Sequence, residues 1–232
     1  MQYQEYQERI RTRERIDKEL PRLDFNLCDP INDPFNEKDI RLSNSKQWLL
    51  DIWQLYTEVR WSIMESFSYL ELDYQLAFLY YIDNAIFRLY ALREKVAQLI
   101  NCYYDLKRKT EAVAFKDLLK NPKISSELRK VLLSLHGNAH FNNLIKEYRH
   151  PKTHREEPYV EERRNYRFIM KKISSKRVDL IAETGNNKWT IPMLKEHLLK
   201  AYEAILDFVA NVMRLLFEGE VTVISRSRHS ET

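Results

Sequence analysis

Apolar residues recur along this chain at three- and four-residue intervals, the spacing that gathers side chains on one face of an α-helix. After the cap signal Ser43-Asn44-Ser45, residues Leu49, Ile52, Trp53, Tyr56, Ile63 and Phe67 form one stripe, which predicts a helix to about Tyr69. A second helix is expected over roughly Leu72 to Leu106, with Leu76, Leu79, Ile82, Ile86, Leu89, Val96, Ile100 and Tyr103 on its inner face. A third starts after Asn121-Pro122 and carries Leu128, Leu132, Leu135, Ala139, Leu144, Ile145 and Tyr148 as far as Arg149. The fourth begins near Pro192 and places Leu194, Leu198, Tyr202, Ile205, Val209, Val212 and Leu216 in register. Four amphipathic helices of this length with short connections predict an all-α fold, a bundle of four to five long helices over residues 43–219.

The flanking segments lack that clear period. Residues 1–42 read as a charged helix (3–20) followed by an irregular, proline-bearing arm, and residues 220–232 as a disordered tail. Between the third and fourth helices, YRFIMKK and RVDLIAE flank ISSK within residues 158–190. That pattern suits a hairpin or a further helix, and helix followed by loop is the preferred expectation.

Composition narrows the chemistry. The 232 residues hold only three glycines, Gly137, Gly185 and Gly219, with no two close together. Phosphate-cradling loops and dinucleotide fingerprints need clustered glycine where backbone approaches a ligand, so P-loop NTPases and Rossmann oxidoreductases are excluded. There is no G-x-S-x-G elbow, which excludes α/β-hydrolases. A net charge of +4 permits nucleic-acid binding without requiring it. Cys28 and Cys102 have neither metal spacing nor a disulfide framework around them. MQYQEYQERIRTRER lacks the apolar core of a signal peptide, and YQLAFLYYI at 74–82 is far short of the ~20 residues that span a bilayer. The expectation is a soluble, cytoplasmic protein with no membrane partner.

The unusual stretch is EYRHPKTHREE, residues 147–157. Four of the six histidines, His136, His140, His150 and His154, fall within residues 136–154. Each pair is four apart, as on the shared face of a HExxH zinc helix, but neither carries the intervening glutamate and Pro151 interrupts the second. The plainer reading has His136 and His140 flanking the apolar stripe and hydrogen-bonding locally, with no metal or cofactor. Arg149 and His154 are the more pointed pair. Pro151 is expected to push His150 out of the α region and bend the backbone, letting a guanidinium and an imidazole converge across the bend.

Arg149-His150-Pro151-Lys152-Thr153-His154 resembles the signature of the HEPN superfamily: an arginine, a polar residue, a few variable positions, then a histidine. The family fold is a compact helical bundle, and the match would cover residues 43–217. The texture is most similar to bacterial members. The resemblance implies metal-independent endoribonuclease activity in toxin–antitoxin, abortive-infection or other defence systems. Within it, Arg149 and His154 would be catalytic and His150 would support them. The usual homodimer would bring two Arg–His sets to one cleft, and an antitoxin protein would be a second partner. The chemistry suits the residue types. An imidazole titrating near neutrality can take the 2′-OH proton, and a guanidinium can hold the charge developing on the phosphorane. Products would be a 2′,3′-cyclic phosphate and a 5′-hydroxyl. Lys146, Lys152, Arg155, Arg163 and Arg164 would contact the RNA, with Tyr148, Tyr159 and Tyr166 placed for stacking. Glu156 stands where some toxin members carry a modifiable tyrosine. The alternative, since many members have lost activity, is a non-catalytic bundle that binds nucleic acid or a protein.

Overall fold

The computed structural model describes residues 3–25, 40–107, 115–150, 189–217 and 221–224. Among them α1 spans Tyr3–Glu19, α2 Ile40–Glu71, α3 Gln75–Tyr103, α4 Phe115–Leu119, α5 Ser126–Gly137, α6 Ala139–Asn143 and α7 Ile191–Phe217, with a π-helical turn at Leu144–Arg149. Two short strands, β1 at Arg22–Phe25 and β2 at Val221–Ile224, complete the described structure. No helix among the described residues is long and apolar enough to cross a membrane.

The long α2–α3 hairpin is the main wall of the bundle, and α7 packs across α3, α5 and α6. A three-residue turn joins α2 to α3, with Asp73 in the left-handed region at φ 61° and the Tyr74 N–H donating to Tyr69 O at 2.8 Å. In so glycine-poor a chain that conformation falls to an aspartate, which tolerates it better than most residues. All seven apolar positions expected on the fourth helix are buried in α7, including Tyr202. Each such side chain contributes about 1.5–3 kcal/mol by leaving water.

Two expected stripe residues face solvent instead. Trp53 is 48% exposed and Leu76 is 42% exposed, because α2 and α3 cover each other along one stripe and leave their outer edges bare. The third predicted helix is not continuous. Asn138 adopts an extended backbone, ends α5 through its N–H to Leu135 O, and caps α6 by accepting from Phe141 N at 2.8 Å. Ala139, opening α6, is consequently exposed. Asn138→Ala removes that cap and is expected to cost ~1 kcal/mol, read as a lower urea midpoint at unchanged slope.

The ends of the chain also differ from expectation. Helix α1 forms as expected, but β1 lies in the arm expected to be irregular, and β2 in the tail expected to be disordered. The two pair antiparallel, Arg22 opposite Ile224 and Phe25 opposite Val221. Pairing between segments two hundred residues apart leaves no local signal. The junction after α1 is pinned from within the bundle: Arg60 donates to Pro21 O at 2.8 Å, Tyr202 to the same oxygen at 3.1 Å, and Leu23 N to the Tyr56 hydroxyl at 3.0 Å. Residues 158–188 lie outside the described residues, so the hairpin-or-helix expectation there has no counterpart in this description.

Candidate functional site

The site is built on the π-helical turn that follows α6. Here the His150 N–H donates to Ile145 O, five residues back rather than four. Such widened turns are uncommon and recur at functional sites. The sequence supplies a reason. Pro151 has no N–H, so the Glu147 carbonyl loses the donor an α-helix would provide there. The Trp189 indole N–H takes up part of that role, donating to Glu147 O over a long 3.4 Å. His150 itself is α-helical at φ −59°, ψ −50°, contrary to the expectation that the proline would drive it out of that region. A widened helix accommodates the following proline without the residue before it leaving the helical basin.

The turn is bolted to α3 by Tyr148. This residue is fully buried, donates its hydroxyl to Asp83 Oδ1 at 2.6 Å, and meets Trp189 edge-on at 5.8 Å. Arg149 follows directly and is half-buried. Its guanidinium carbon lies 3.6 Å from the Tyr90 ring centroid and 5.5 Å from that of Phe87. A second guanidinium, that of Arg93, lies 4.5 Å from the same Tyr90 ring, and it is ion-paired to Glu94 at 2.5 Å. Burial lowers the Arg149 pKa below the usual guanidinium value and Arg93 adds to the effect, while Tyr90 and Glu94 oppose it. The group remains a cation at neutral pH. A positive charge partly stripped of water beside a second arginine is a favourable place for an anion.

Of the other expected site residues, Lys146 and His150 lie on or just after the turn and are exposed. His154, Lys152, Arg155, Arg163 and Arg164 lie outside the described residues. The structure also brings forward groups that periodicity did not single out: Asp83, Phe87, Tyr90 and Arg93 on α3, and Trp189. The signal available for them was the interruption of an apolar helix by Asp83 and Arg93.

His136 and His140 do not share a helical face, because the chain breaks at Asn138 between them. His140 instead meets His197 of α7, Nδ1 to Nδ1 at 3.3 Å, and Trp189 stacks edge-on to His197 at 5.3 Å. No group of three or more histidine, cysteine, aspartate or glutamate side chains among the described residues is arranged to hold a metal. One imidazole of the pair donates and the other accepts, the roles following their tautomers. Burial, then the neighbouring His140, lowers the His197 pKa below 6.5. A depressed folded value means that the unfolded chain binds the proton more readily. Stability is therefore present above pH 6.5 and is lost as pH falls through the lower folded value. Thermal melts from neutral to acid pH are expected to fall more steeply for the wild type than for His197→Asn.

A family model described as HEPN_Cthe2314-like HEPN matches residues 39–219, well over half of the chain. No curated protein and no solved structure matches it.

Proposed function

Since this chain belongs to the HEPN_Cthe2314-like HEPN family, we propose that it is a metal-independent endoribonuclease, cleaving RNA by attack of a 2′-oxygen on the adjacent phosphorus. In this reading His154 accepts the 2′-OH proton and Arg149 binds the phosphate oxygens as negative charge grows on them. The bond to the 5′-oxygen of the next nucleotide breaks and that oxygen takes up a proton from water, leaving a 2′,3′-cyclic phosphate and a 5′-hydroxyl. His150 and Lys146, both exposed beside Arg149, would steady the backbone, with Lys152, Arg155, Arg163 and Arg164 extending the contact. Two copies would pair so that both Arg–His sets flank one cleft, with an antitoxin as a further partner in a defence setting.

The observation that carries the reading is the setting of Arg149. It is held on Tyr90, partly desolvated, at the end of a π turn and two positions before the motif proline. The same stacking favours a second reading, since an arginine laid on two aromatic rings also serves as structural packing in a bundle that binds nucleic acid without cutting it. Incubating purified protein with RNA in excess EDTA separates the two. Cleavage with cyclic-phosphate ends supports the enzyme. Binding without cleavage, weakening steeply as salt rises, supports the binding module.

A further inference from the structure

Among the described residues, four of the five exposed large aromatic side chains, Trp53, Trp61, Tyr74 and Tyr80, lie on the α2–α3 hairpin, and the fifth is Tyr6 of α1. Trp61 is 50% exposed and Tyr80 is 63% exposed. They are walls of one groove, Trp61 from α2 and Tyr80 from α3, with Glu58, Ser62, Asn84 and Arg88 also lining it. Scattered surface aromatics need no explanation, but two that line one groove together with hydrogen-bonded polar side chains do.

The groove is organised in advance. Arg13 of α1 lies 4.2 Å from the Trp61 ring centroid and is tied to Glu65 at 2.9 Å, so the indole is backed on one face and exposed on the other. Tyr80 stands edge-on to Tyr81 at 5.2 Å, and Tyr81 is stacked in parallel on Tyr69 at 5.4 Å. Arg88 donates to Glu58 Oε2 and to Ser62 Oγ, each at 3.0 Å. The Asn84 amide donates to Tyr80 O at 3.0 Å and keeps its carbonyl oxygen as an acceptor.

We infer that this groove is a stacking site for an unpaired nucleobase of a single-stranded nucleic acid. Flat rings beside polar side chains are the recognition chemistry of a base, which offers a π-face to any aromatic and donors and acceptors at its rim. The charge balance selects the base over the phosphate. Hydrogen bonds from Gln54 and Arg88 hold Glu58 below the ordinary carboxylate range, so its charge cancels that of Arg88. A neutral lining draws no phosphate.

Placement connects the groove to the proposed chemistry. Tyr80 and Tyr90 lie on the same helix about 15 Å apart along its axis. Phe87, between them in sequence, touches the same guanidinium of Arg149 that Tyr90 carries. A strand with one base in the groove would run along α3 toward Arg149. The inference thus deepens the ribonuclease reading and rests on it for the identity of the substrate, although binding is measurable without cleavage.

The test uses the full chain and a fluorescein-labelled 2′-O-methyl oligouridylate, which cannot be cut by 2′-oxygen attack. An abasic strand of the same length and phosphate count serves as the comparison. Trp61→Ala and Tyr80→Ala are each expected to weaken anisotropy-detected binding of the base-bearing strand by ~5- to 100-fold, with abasic binding unchanged. Tyr80 is exposed enough that its variant keeps the wild-type melting curve. The inference is overturned if both strands weaken equally, if neither weakens, if the wild type fails to bind the base-bearing strand, or if either variant instead changes the oligomeric mass. Cleavage of unmodified RNA is followed in parallel. Base-dependent binding without cleavage sinks only the ribonuclease reading, and cleavage with unaltered binding by both variants sinks only the groove.

Discussion

Replacing Arg149 with alanine is expected to slow RNA cleavage by ~100- to 1000-fold, the loss that follows removal of one preorganised donor to a developing negative charge. His154→Ala should lose ~100- to 10,000-fold, the usual share of a general base. Lysine at 149 should rescue little. It keeps the charge, but it presents no planar fork to two phosphate oxygens and stacks poorly on Tyr90. Rates are read by gel from labelled RNA in EDTA, alongside melting curves. A structural arginine would show the opposite split, with Arg149→Ala lowering the melting temperature and leaving per-molecule activity untouched. Cleavage by His154→Ala at the wild-type rate would expose a contaminating nuclease and end the assignment.

The largest expected effect on stability lies far from that site. Glu65 of α2 is 1% exposed, and it is met by Arg9 and Arg13 of α1, each at 2.9 Å. Removing both arginines leaves a buried carboxylate with no counter-charge, which costs about 3–5 kcal/mol. In a chain of this size that corresponds to a melting temperature lower by roughly 6–20 °C. The same double change frees α1 from the hairpin, so trypsin should cut within Tyr3–Glu19 before it cuts the core. Adding Glu65→Leu to the double variant should recover much of the loss, because the stranded charge is gone and α2 gains an apolar contact. No recovery would mean that the arginines act through their rings: Arg9 lies 4.5 Å from Tyr69 and Arg13 4.2 Å from Trp61. By contrast the Arg15–Glu19 pair is open to water on both sides, and its removal should change stability by less than ~1 kcal/mol.

The long helices were legible because burial repeats with the period of the helix itself. Leu194, Leu198, Tyr202, Ile205, Val209, Val212 and Leu216 announce α7 and all are in the core. The same rule misplaced Trp53 and Leu76, since a stripe shows which residues lie together and says nothing of where a neighbouring helix stops covering them. The candidate site was half legible. The Arg149-His150-Pro151 run stood out as chemistry in an otherwise ordinary bundle, and the family match covers it. The ring beneath Arg149 did not, because Tyr90 is fifty-nine positions away and reads as one more aromatic on a long helix.

By itself, then, the sequence determined the helical class, the positions of the long helices and the arginine–histidine signature. Each depends on residues a few positions apart, whose relation the backbone sets wherever the segment ends up. Tertiary structure alone decided the rest. The missing Pro151 donor is compensated by an indole forty-two residues from Glu147, the buried Glu65 is neutralised from a different helix, and the chain's two ends are zipped as β1 and β2. Those outcomes depend on which unsatisfied group finds which partner once the helices pack, and no local pattern encodes a partner that arrives from elsewhere in the chain.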